Sequence, residues 1–215
     1  MNHSFSKQNH FVLLTFLLGC LLFIARGIIF SDYFFPVIFW NTFLAFIPWA
    51  ISKEITAKSK RLWRWTQGVI WLLFLPNAFY VATDLIHLRE SSGQTFWMDL
   101  VLLLSFTACS FLMGFYSFHN IEKIFNRYRS NVSRLAFRGI LFLACSYGLF
   151  LGRVLRWNTW DLVVRPGKVL GSVADSITTL RIDSLAFTIS FSFFIFLFLI
   201  YHMFFVVNYQ ARKEH

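Results

Sequence analysis

The residues best suited to chemistry follow directly on an apolar run. The stretch from Trp71 to Glu90 reads W-L-L-F-L-P-N-A-F-Y-V-A-T-D-L-I-H-L-R-E. Its apolar part ends at Pro76 and Asn77, and ionisable residues begin at Asp84. Ionisable side chains are unfavourable in hydrocarbon and mark functional positions in membrane proteins. This pattern predicts a site at a membrane face.

Asp84 and His87 are the candidates for acid-base chemistry. They are three positions apart, so on a continued helix they share a face and can form a carboxylate-imidazole pair. A general base needs such a pair, and so does a metal ligand with its supporting shell. An interfacial hydrogen bond has the same pattern. Only Asn158 and Asp161 could complete a metal site, and their irregular spacing leads us to predict no bound metal.

Asn77 follows a proline inside a predicted membrane helix. Proline removes a backbone donor and leaves a carbonyl without its helical partner. The Asn77 side chain can satisfy exposed backbone groups or bond to a neighbouring helix, and it can also contact a ligand. Both interpretations of Asn77 stay open on the sequence.

Paired arginines near the end of another predicted helix indicate recognition of an anion. Arg153 and Arg156 are three positions apart, and Arg26 from the first helix is predicted to lie at the same membrane face. Guanidinium groups bind phosphate or carboxylate through paired hydrogen bonds. The candidate ligand-binding residues are Arg26, Asn77, Asp84, His87, Arg153, Arg156, Trp157, Asn158, Trp160 and Asp161.

A structural role for the arginines is the alternative. Arg153 and Arg156 can pair with Asp84, Asp161 or Asp32 and so hold helices together. Trp157 and Trp160 fit either role, since tryptophan is enriched at the headgroup layer of a bilayer. The sequence does not decide between the two interpretations.

The composition identifies the class of protein. Of 215 residues, 57% are hydrophobic and 14% are charged, with a mean hydropathy of +0.60. Soluble domains contain about 25% charged residues, so this is a membrane protein. The net charge of +10 lies in short loops and sets topology, which argues against nucleic-acid binding. The three cysteines lie in apolar runs without disulfide or zinc spacing.

Hydropathy predicts an all-α bundle of about six membrane-spanning helices in a single domain, residues 1–215. The first apolar run continues past Cys20, which favours an uncleaved helix over a signal peptide. The predicted spans are Phe11 to Phe30, Tyr33 to Ser52, Trp65 to about Val81, Trp97 to Phe118, Phe137 to about Leu155, and Ser184 to Val207.

Charge asymmetry predicts the orientation. The loop from Lys53 to Arg64 contains Lys58 and is strongly basic, and a second basic loop follows the fourth span. By the positive-inside rule both loops face the cytoplasm, and so do both termini. The acids Asp84, Glu90 and Asp99 assign the connection between the third and fourth spans to the outside. The second basic loop contains Lys123, Arg127, Arg129, Arg134 and Arg138 against Glu122.

A surface helix is predicted between the fifth and sixth spans. After the turn at Pro166 and Gly167, apolar residues recur at helical spacing, and charged residues occupy the other side. Such a helix lies on the outer membrane surface. The apolar side comprises Val169, Val173, Ile177 and Leu180, and the polar side Lys168, Asp175 and Arg181.

Two motifs resemble a known family. The first is Leu75-Pro76-Asn77-Ala78 with Tyr80, Thr83-Asp84-Leu85 and His87-Leu88, and the second is Gly152-Arg153 with Arg156-Trp157-Asn158 and Trp160-Asp161. Together they resemble the membrane-protein family catalogued as domain of unknown function 1361. The resemblance implies a bacterial multi-pass inner-membrane protein of uncharacterised activity, and it implies no catalytic residues.

These patterns lead to three functional hypotheses. The first is a non-enzymatic protein whose outward-facing polar cluster binds an anionic lipid headgroup or another envelope component. The second is a membrane-embedded hydrolase or transferase that uses His87 and Asp84 on lipid or envelope substrates. The third is a small transporter or transporter subunit, for which the proline-kinked third helix argues. The sequence contains no cofactor motif, and it leaves the oligomeric state open.

Overall fold

The computed structural model describes residues 2–55, 60–91, 93–125, 130–178 and 184–207. Over these residues the chain is helical and contains no strand, so the predicted all-α fold is confirmed. Several residues of the predicted loops and surface helix lie outside the described ranges: Lys58, Arg127, Arg129, Leu180 and Arg181.

The helices follow one another through short connections. A 3-10 helix continues α3 without a break, and a π-helical segment continues α8 in the same way. In chain order the elements are α1 (Asn2–Phe30), α2 (Val37–Glu54), α3 (Arg61–Tyr80), the 3-10 segment (Val81–Glu90), α4 (Phe96–Phe125), α5 (Asn131–Arg153), α6 (Asp161–Val164), α7 (Pro166–Thr178), α8 (Leu185–Tyr201) and the π segment (His202–Val207).

Five helices within the described ranges are long and apolar enough to cross a membrane, and the chain is a multi-pass membrane protein. The predicted second span corresponds to α2, which has 18 residues and is not among the five. Asn41 in its first half and Lys53 and Glu54 at its end lower its hydropathy. The five are Asn9–Phe30, Arg61–Glu90, Phe96–Phe125, Asn131–Arg153 and Leu185–Phe205.

By its internal packing the chain divides into two compact units, residues 1–121 and residues 122–215. The prediction of a single domain over residues 1–215 stays a prediction. The first unit contains α1, α2, α3, the 3-10 segment and most of α4. The second contains the last turn of α4 and all the later elements.

Two successive hydrogen bonds link α2, α3 and α4 inside the first unit. The Trp71 indole Nε1–H donates to Ser117 Oγ at 2.6 Å, and the Ser117 hydroxyl donates to the Pro48 carbonyl at 2.9 Å. Trp71 and Ser117 are buried. Because buried polar groups need partners, these two hydrogen bonds fix the relative positions of the three helices.

The end of α2 is anchored by its lysine. The Lys53 ammonium lies 3.0 Å from the centroid of the Trp49 ring and donates to Asn9 Oδ1 at 3.3 Å. Burial disfavours the charged form and lowers the pKa of Lys53. The cation-π contact favours the charged form, so Lys53 keeps a partner for its charge at the end of the helix.

Gly114 allows α3 and α4 to approach closely. A Cβ at this position would lie 2.9 Å from Ala78 Cβ and 3.0 Å from the buried Phe79 ring. We expect Gly114→Ala to lower the free energy of unfolding by about 1–3 kcal/mol, because the packed neighbours must shift. Gly139→Ala is the matched control, since a Cβ there meets no described atom within 4 Å.

The control should raise stability by up to about 1 kcal/mol through helix propensity alone. Thermal unfolding of both variants in the same detergent measures the difference. Equal stability of the two variants would contradict the close approach of α3 and α4 at Gly114.

The second unit is built on the pairing of α5 with α8. It contains a helix where the surface helix was predicted, and the location of that helix on the outer membrane surface stays a prediction. Phe142 is buried against Tyr201, with ring centroids 5.4 Å apart. The hydroxyls of Tyr147 and Ser176 hydrogen-bond and so tie α7 to α5. Proline suits the first position of a helix, and α7 begins at Pro166. Val169 is buried, whereas Ile177, predicted to share its apolar side, is 56% exposed.

Candidate functional site

Arg26, a predicted anion-binding residue, is buried in the first unit and bonded to acids. Its Nε–H donates to Asp99 Oδ1 at 2.5 Å, and Nη1 donates to the Asp32 carbonyl at 2.7 Å and to Asp32 Oδ2 at 3.2 Å. Arg26 is 4% exposed and its guanidinium also lies 5.1 Å from the Phe34 ring centroid. These contacts favour the structural interpretation for this arginine.

Asp99 falls within the predicted fourth span, Trp97 to Phe118, although its charge was also counted for the outer connection before that span. It lies in the first turn of α4, fully buried, and its Oδ1 pairs with Arg26. A loop assignment from charge fails here because the pairing cation belongs to α1, about 70 residues earlier in sequence, and pairing makes a buried carboxylate tolerable. An acid within an otherwise apolar helix turn was the signal that pointed to a buried role.

Asp84 lies on the 3-10 segment and is bonded to α2. Its Oδ2 accepts a hydrogen bond from Asn41 Nδ2 at 2.6 Å, and Asp84 is 1% exposed. The Asn41 amide thus supplies the buried carboxylate with a hydrogen-bond partner. Asn41 was not among the predicted site residues; its position as a polar residue in an apolar helix was the available signal.

His87 does not pair with Asp84. Its Nδ1 lies 2.9 Å from Glu90 Oε1, and its ring stacks on Phe35 at 4.0 Å between centroids. On this 3-10 segment residues three apart are aligned along one edge, which carries Asp84, His87 and Glu90. The Asp84 carboxylate is bonded to Asn41, and His87 contacts Glu90. Phe35 has a φ of 48°, an unfavourable left-handed conformation for an aromatic residue.

Asn77 serves the backbone of its own helix. Its Nδ2 donates to the Phe74 carbonyl at 3.1 Å, three residues earlier in the same helix. The Asn77 amide is thus satisfied by the backbone of its own membrane helix. The structural interpretation of Asn77 therefore has a direct observation behind it.

In the second unit, α5 ends in a turn built around Arg156. The Trp157 N–H donates to the Leu151 carbonyl at 3.1 Å, which folds the chain back over the last turn of the helix. Arg156 has a φ of 58°, in the left-handed region that helix ends normally fill with glycine. A side chain at such a position is unfavourable by about 1 kcal/mol.

Asn158 and Asp161 form the next turn together. The Asn158 N–H donates to Asp161 Oδ2 at 2.8 Å, and the Asp161 N–H donates to the Asn158 carbonyl at 3.0 Å. The carboxylate thus holds the backbone that leads into α6. This reciprocal pair is local, and it presents Trp160 with 46% of its surface exposed.

The two arginines of the second unit differ in exposure. Arg153, the last residue of α5, is half-buried, whereas Arg156 is exposed. Among the described residues of this unit, no side chain or carbonyl accepts a hydrogen bond or ion pair from the Arg156 guanidinium. Arg156 therefore carries an available cation on a defined turn, with Trp157 beside it.

The ten predicted site residues fall in both units. Arg26, Asn77, Asp84 and His87 belong to the first, and Arg153, Arg156, Trp157, Asn158, Trp160 and Asp161 to the second. The predicted convergence of these two sets stays a prediction. Among the described residues, no three His, Cys, Asp or Glu side chains group so as to hold a metal ion.

The fold and the charged residues held at its helix ends define a helical multi-pass membrane protein. Residues 40–199 match the model of the family described as "Protein of unknown function (DUF1361)", and the chain belongs to that family. The matched range includes the stretches of both motifs noted in the sequence. Searches of curated proteins and of solved structures gave no match.

Proposed function

We propose that this chain is a bacterial inner-membrane protein that binds an anionic lipid headgroup or another anionic envelope component at its outer face. Arg153 and Arg156 supply the positive charge in this proposal, and both termini lie in the cytoplasm. The orientation rests on the two basic loops, which the positive-inside rule assigns to the cytoplasm.

The state of Arg156 is the observation that carries the proposal. Its backbone conformation is one that glycine would adopt with less strain, yet the residue there is an arginine whose exposed guanidinium has no acceptor among the described residues of its unit. Strained backbone positions concentrate at functional sites. A cation kept on a strained turn supports binding of an anion there.

The surroundings of Arg156 support a lipid over a soluble anion. Trp157 is half-buried and Trp160 is exposed, and tryptophan rings favour the headgroup layer. On the helices that follow, Val164, Leu170 and Ile177 are 69%, 62% and 56% exposed. Apolar side chains on a surface helix insert among acyl chains, so a phosphate-bearing lipid fits this turn better than free phosphate.

The remaining predicted residues have supporting roles in the proposal. Asn158 and Asp161 shape the turn that carries Arg156, as their mutual hydrogen bonds suggest. The enzyme hypothesis required an Asp84–His87 pair, and His87 instead contacts Glu90, so no observation favours that alternative.

Native mass spectrometry of the detergent-purified protein tests the proposal. We expect the wild type to retain an anionic phospholipid and Arg153→Ala/Arg156→Ala to lose it. Arg156→Gly should raise the Kd for the lipid about tenfold or more, because a charge-assisted hydrogen bond contributes about 1.5–3 kcal/mol. Arg61→Ala, which removes an exposed arginine at the start of α3, is the control and should retain the lipid.

Arg156→Gly separates binding from folding. Glycine relieves the left-handed strain and loses about as much through chain entropy, so unfolding stability should change by less than about 1 kcal/mol. Wild type without bound anionic lipid, or equal lipid retention in all variants, would overturn the proposal. Retained phosphate without lipid would assign the same residues to a soluble anion, and a bound metal would support the enzyme alternative.

A further inference from the structure

A buried polar cluster joins three helices of the second unit, and the proposed function does not use it. Glu122 Oε1 accepts from Arg138 Nε at 2.6 Å, and Glu122 Oε2 accepts from the Tyr201 hydroxyl at 2.5 Å. The side chains of Glu122 and Arg138 are 8% and 14% exposed, and Tyr201 is fully buried. The cluster therefore ties α4, α5 and α8 together through one carboxylate.

The predicted cytoplasmic loop included Glu122, which is wrong, and also Arg138, which the predicted fifth span already contained. Glu122 lies in the last part of α4, and Arg138 lies two turns into α5. A carboxylate and a guanidinium are tolerated in membrane helices when each satisfies the other. The only acid in a basic stretch, Glu122, was the available signal.

His202 extends the cluster as a hydrogen-bond acceptor. Arg138 Nη1 lies 3.4 Å from His202 Nε2, and His202 Nδ1 lies 3.1 Å from the Phe198 carbonyl. A guanidinium only donates, so Nε2 must accept, and the proton belongs on Nδ1, where it is donated to Phe198. Reversing the ring would remove both bonds, so the geometry fits the neutral imidazole in one orientation.

Protonation of His202 is incompatible with this arrangement. It would replace the acceptor at Nε2 by a donor and place a second cation against Arg138. The cluster holds one carboxylate and one guanidinium, so the added proton would leave a net positive charge between membrane helices. The charged and titratable groups that face His202 are Arg138 from α5, Glu122 from α4 through Arg138, and Tyr201 from α8.

We propose that His202 is a proton-sensitive latch that holds the end of α8 to α5 when neutral and releases it when protonated. Histidine ordinarily changes charge between pH 5 and 8. The π segment begins at His202, and π-helical turns occur frequently at functional sites. Release would free the segment from His202 to Val207 from its contact with Arg138.

Hydrogen exchange of the full-length wild type in detergent tests the latch without any substitution. Peptides covering residues 195–207 are compared with peptides covering residues 96–110 at each pH, so that the intrinsic effect of pH on exchange cancels. We expect the ratio of the two exchange rates to rise severalfold between pH 8 and pH 5.5. A constant ratio would overturn the proposal.

A substitution then assigns the effect to His202. His202→Gln keeps an acceptor for Arg138 and does not titrate, so the ratio of exchange rates should stay constant with pH in this variant. His10→Gln, which removes an exposed histidine of α1, is the matched control and should retain the wild-type pH dependence. An unchanged pH dependence in His202→Gln would also overturn the proposal.

Discussion

Replacing Asp99 with alanine is expected to lower the free energy of unfolding by about 3–5 kcal/mol, because it leaves a buried guanidinium without its main partner. Arg26 is 4% exposed and donates its shortest hydrogen bond to Asp99. Asp32 cannot replace that carboxylate, since its side chain is 72% exposed and already bonded to Nη1. Denaturant unfolding in mild detergent measures the loss.

A double-mutant cycle distinguishes the contribution of the Arg26–Asp99 ion pair from ordinary packing. The cycle comprises Arg26→Met, Asp99→Leu and the double variant, which removes both charges, and such replacements of a buried ion pair are often neutral in stability. The double variant should therefore be more stable than Asp99→Ala alone. Glu90→Ala, which removes an exposed acid with a side chain 68% accessible, serves as control and should change stability by about 0–1 kcal/mol. If the losses in unfolding free energy of the two single variants were additive, Arg26 and Asp99 would not be energetically coupled and the prediction would be wrong.

Glu122→Ala should destabilise the second unit to a similar extent, by about 3–5 kcal/mol. The substitution removes the acceptor of Arg138 and that of the buried Tyr201 hydroxyl together. Tyr201→Phe removes only the second bond and should cost about 1.5–3 kcal/mol, the range for a hydrogen bond to a charged group. Thermal unfolding of the two variants and the wild type measures which variant loses more stability.

The comparison with Tyr201→Phe makes the Glu122 prediction specific. If Glu122 contributed only one hydrogen bond, the two variants would lose equal stability, and the interpretation of Glu122 as the centre of the cluster would be wrong. Glu122→Gln should fall between them, because an amide can still accept one bond but cannot compensate the guanidinium charge.

Arg26 and Arg156 differ in burial and in hydrogen-bond partners, and the sequence alone did not distinguish them. Arg26 is buried and bonded to two acids, as in the structural alternative. Arg156 is exposed on a strained turn, as the binding hypothesis requires of a cation. Exposure depends on which helix packs against each residue, and nothing in the local pattern around either arginine contains that information.

Hydropathy and turn chemistry predicted most of the helical architecture. Long apolar runs fixed the positions of the spans, and Pro166 fixed the start of α7, because these signals are local. The 3-10 segment was not predicted, since its sequence fits an α-helix equally well and the choice depends on packing around Asp84. Family membership was recognised from the motifs and is confirmed by the match over residues 40–199.

The burial of charged residues inside helices could not be predicted from the sequence. The charges of Asp99 and Glu122 were counted for loops because charge alone predicts the polar side of a boundary. Each is buried because a cation from another helix compensates it, Arg26 in one case and Arg138 in the other. Pairing over such sequence separations is a tertiary property, which a single sequence does not display.

The 3-10 segment also determines how far the third helix reaches. The 20 residues of α3 rise about 30 Å at 1.5 Å each, which already equals the hydrocarbon thickness of a typical bilayer. The 10 residues that follow rise about 2.0 Å each and add about 20 Å, against about 15 Å for an α-helix. The rod from Arg61 to Glu90 is therefore longer than the hydrocarbon layer by about the length of the 3-10 segment. Asp84, His87 and Glu90 lie on this additional length, so α3 can fill the hydrocarbon layer while these residues extend to headgroup depth.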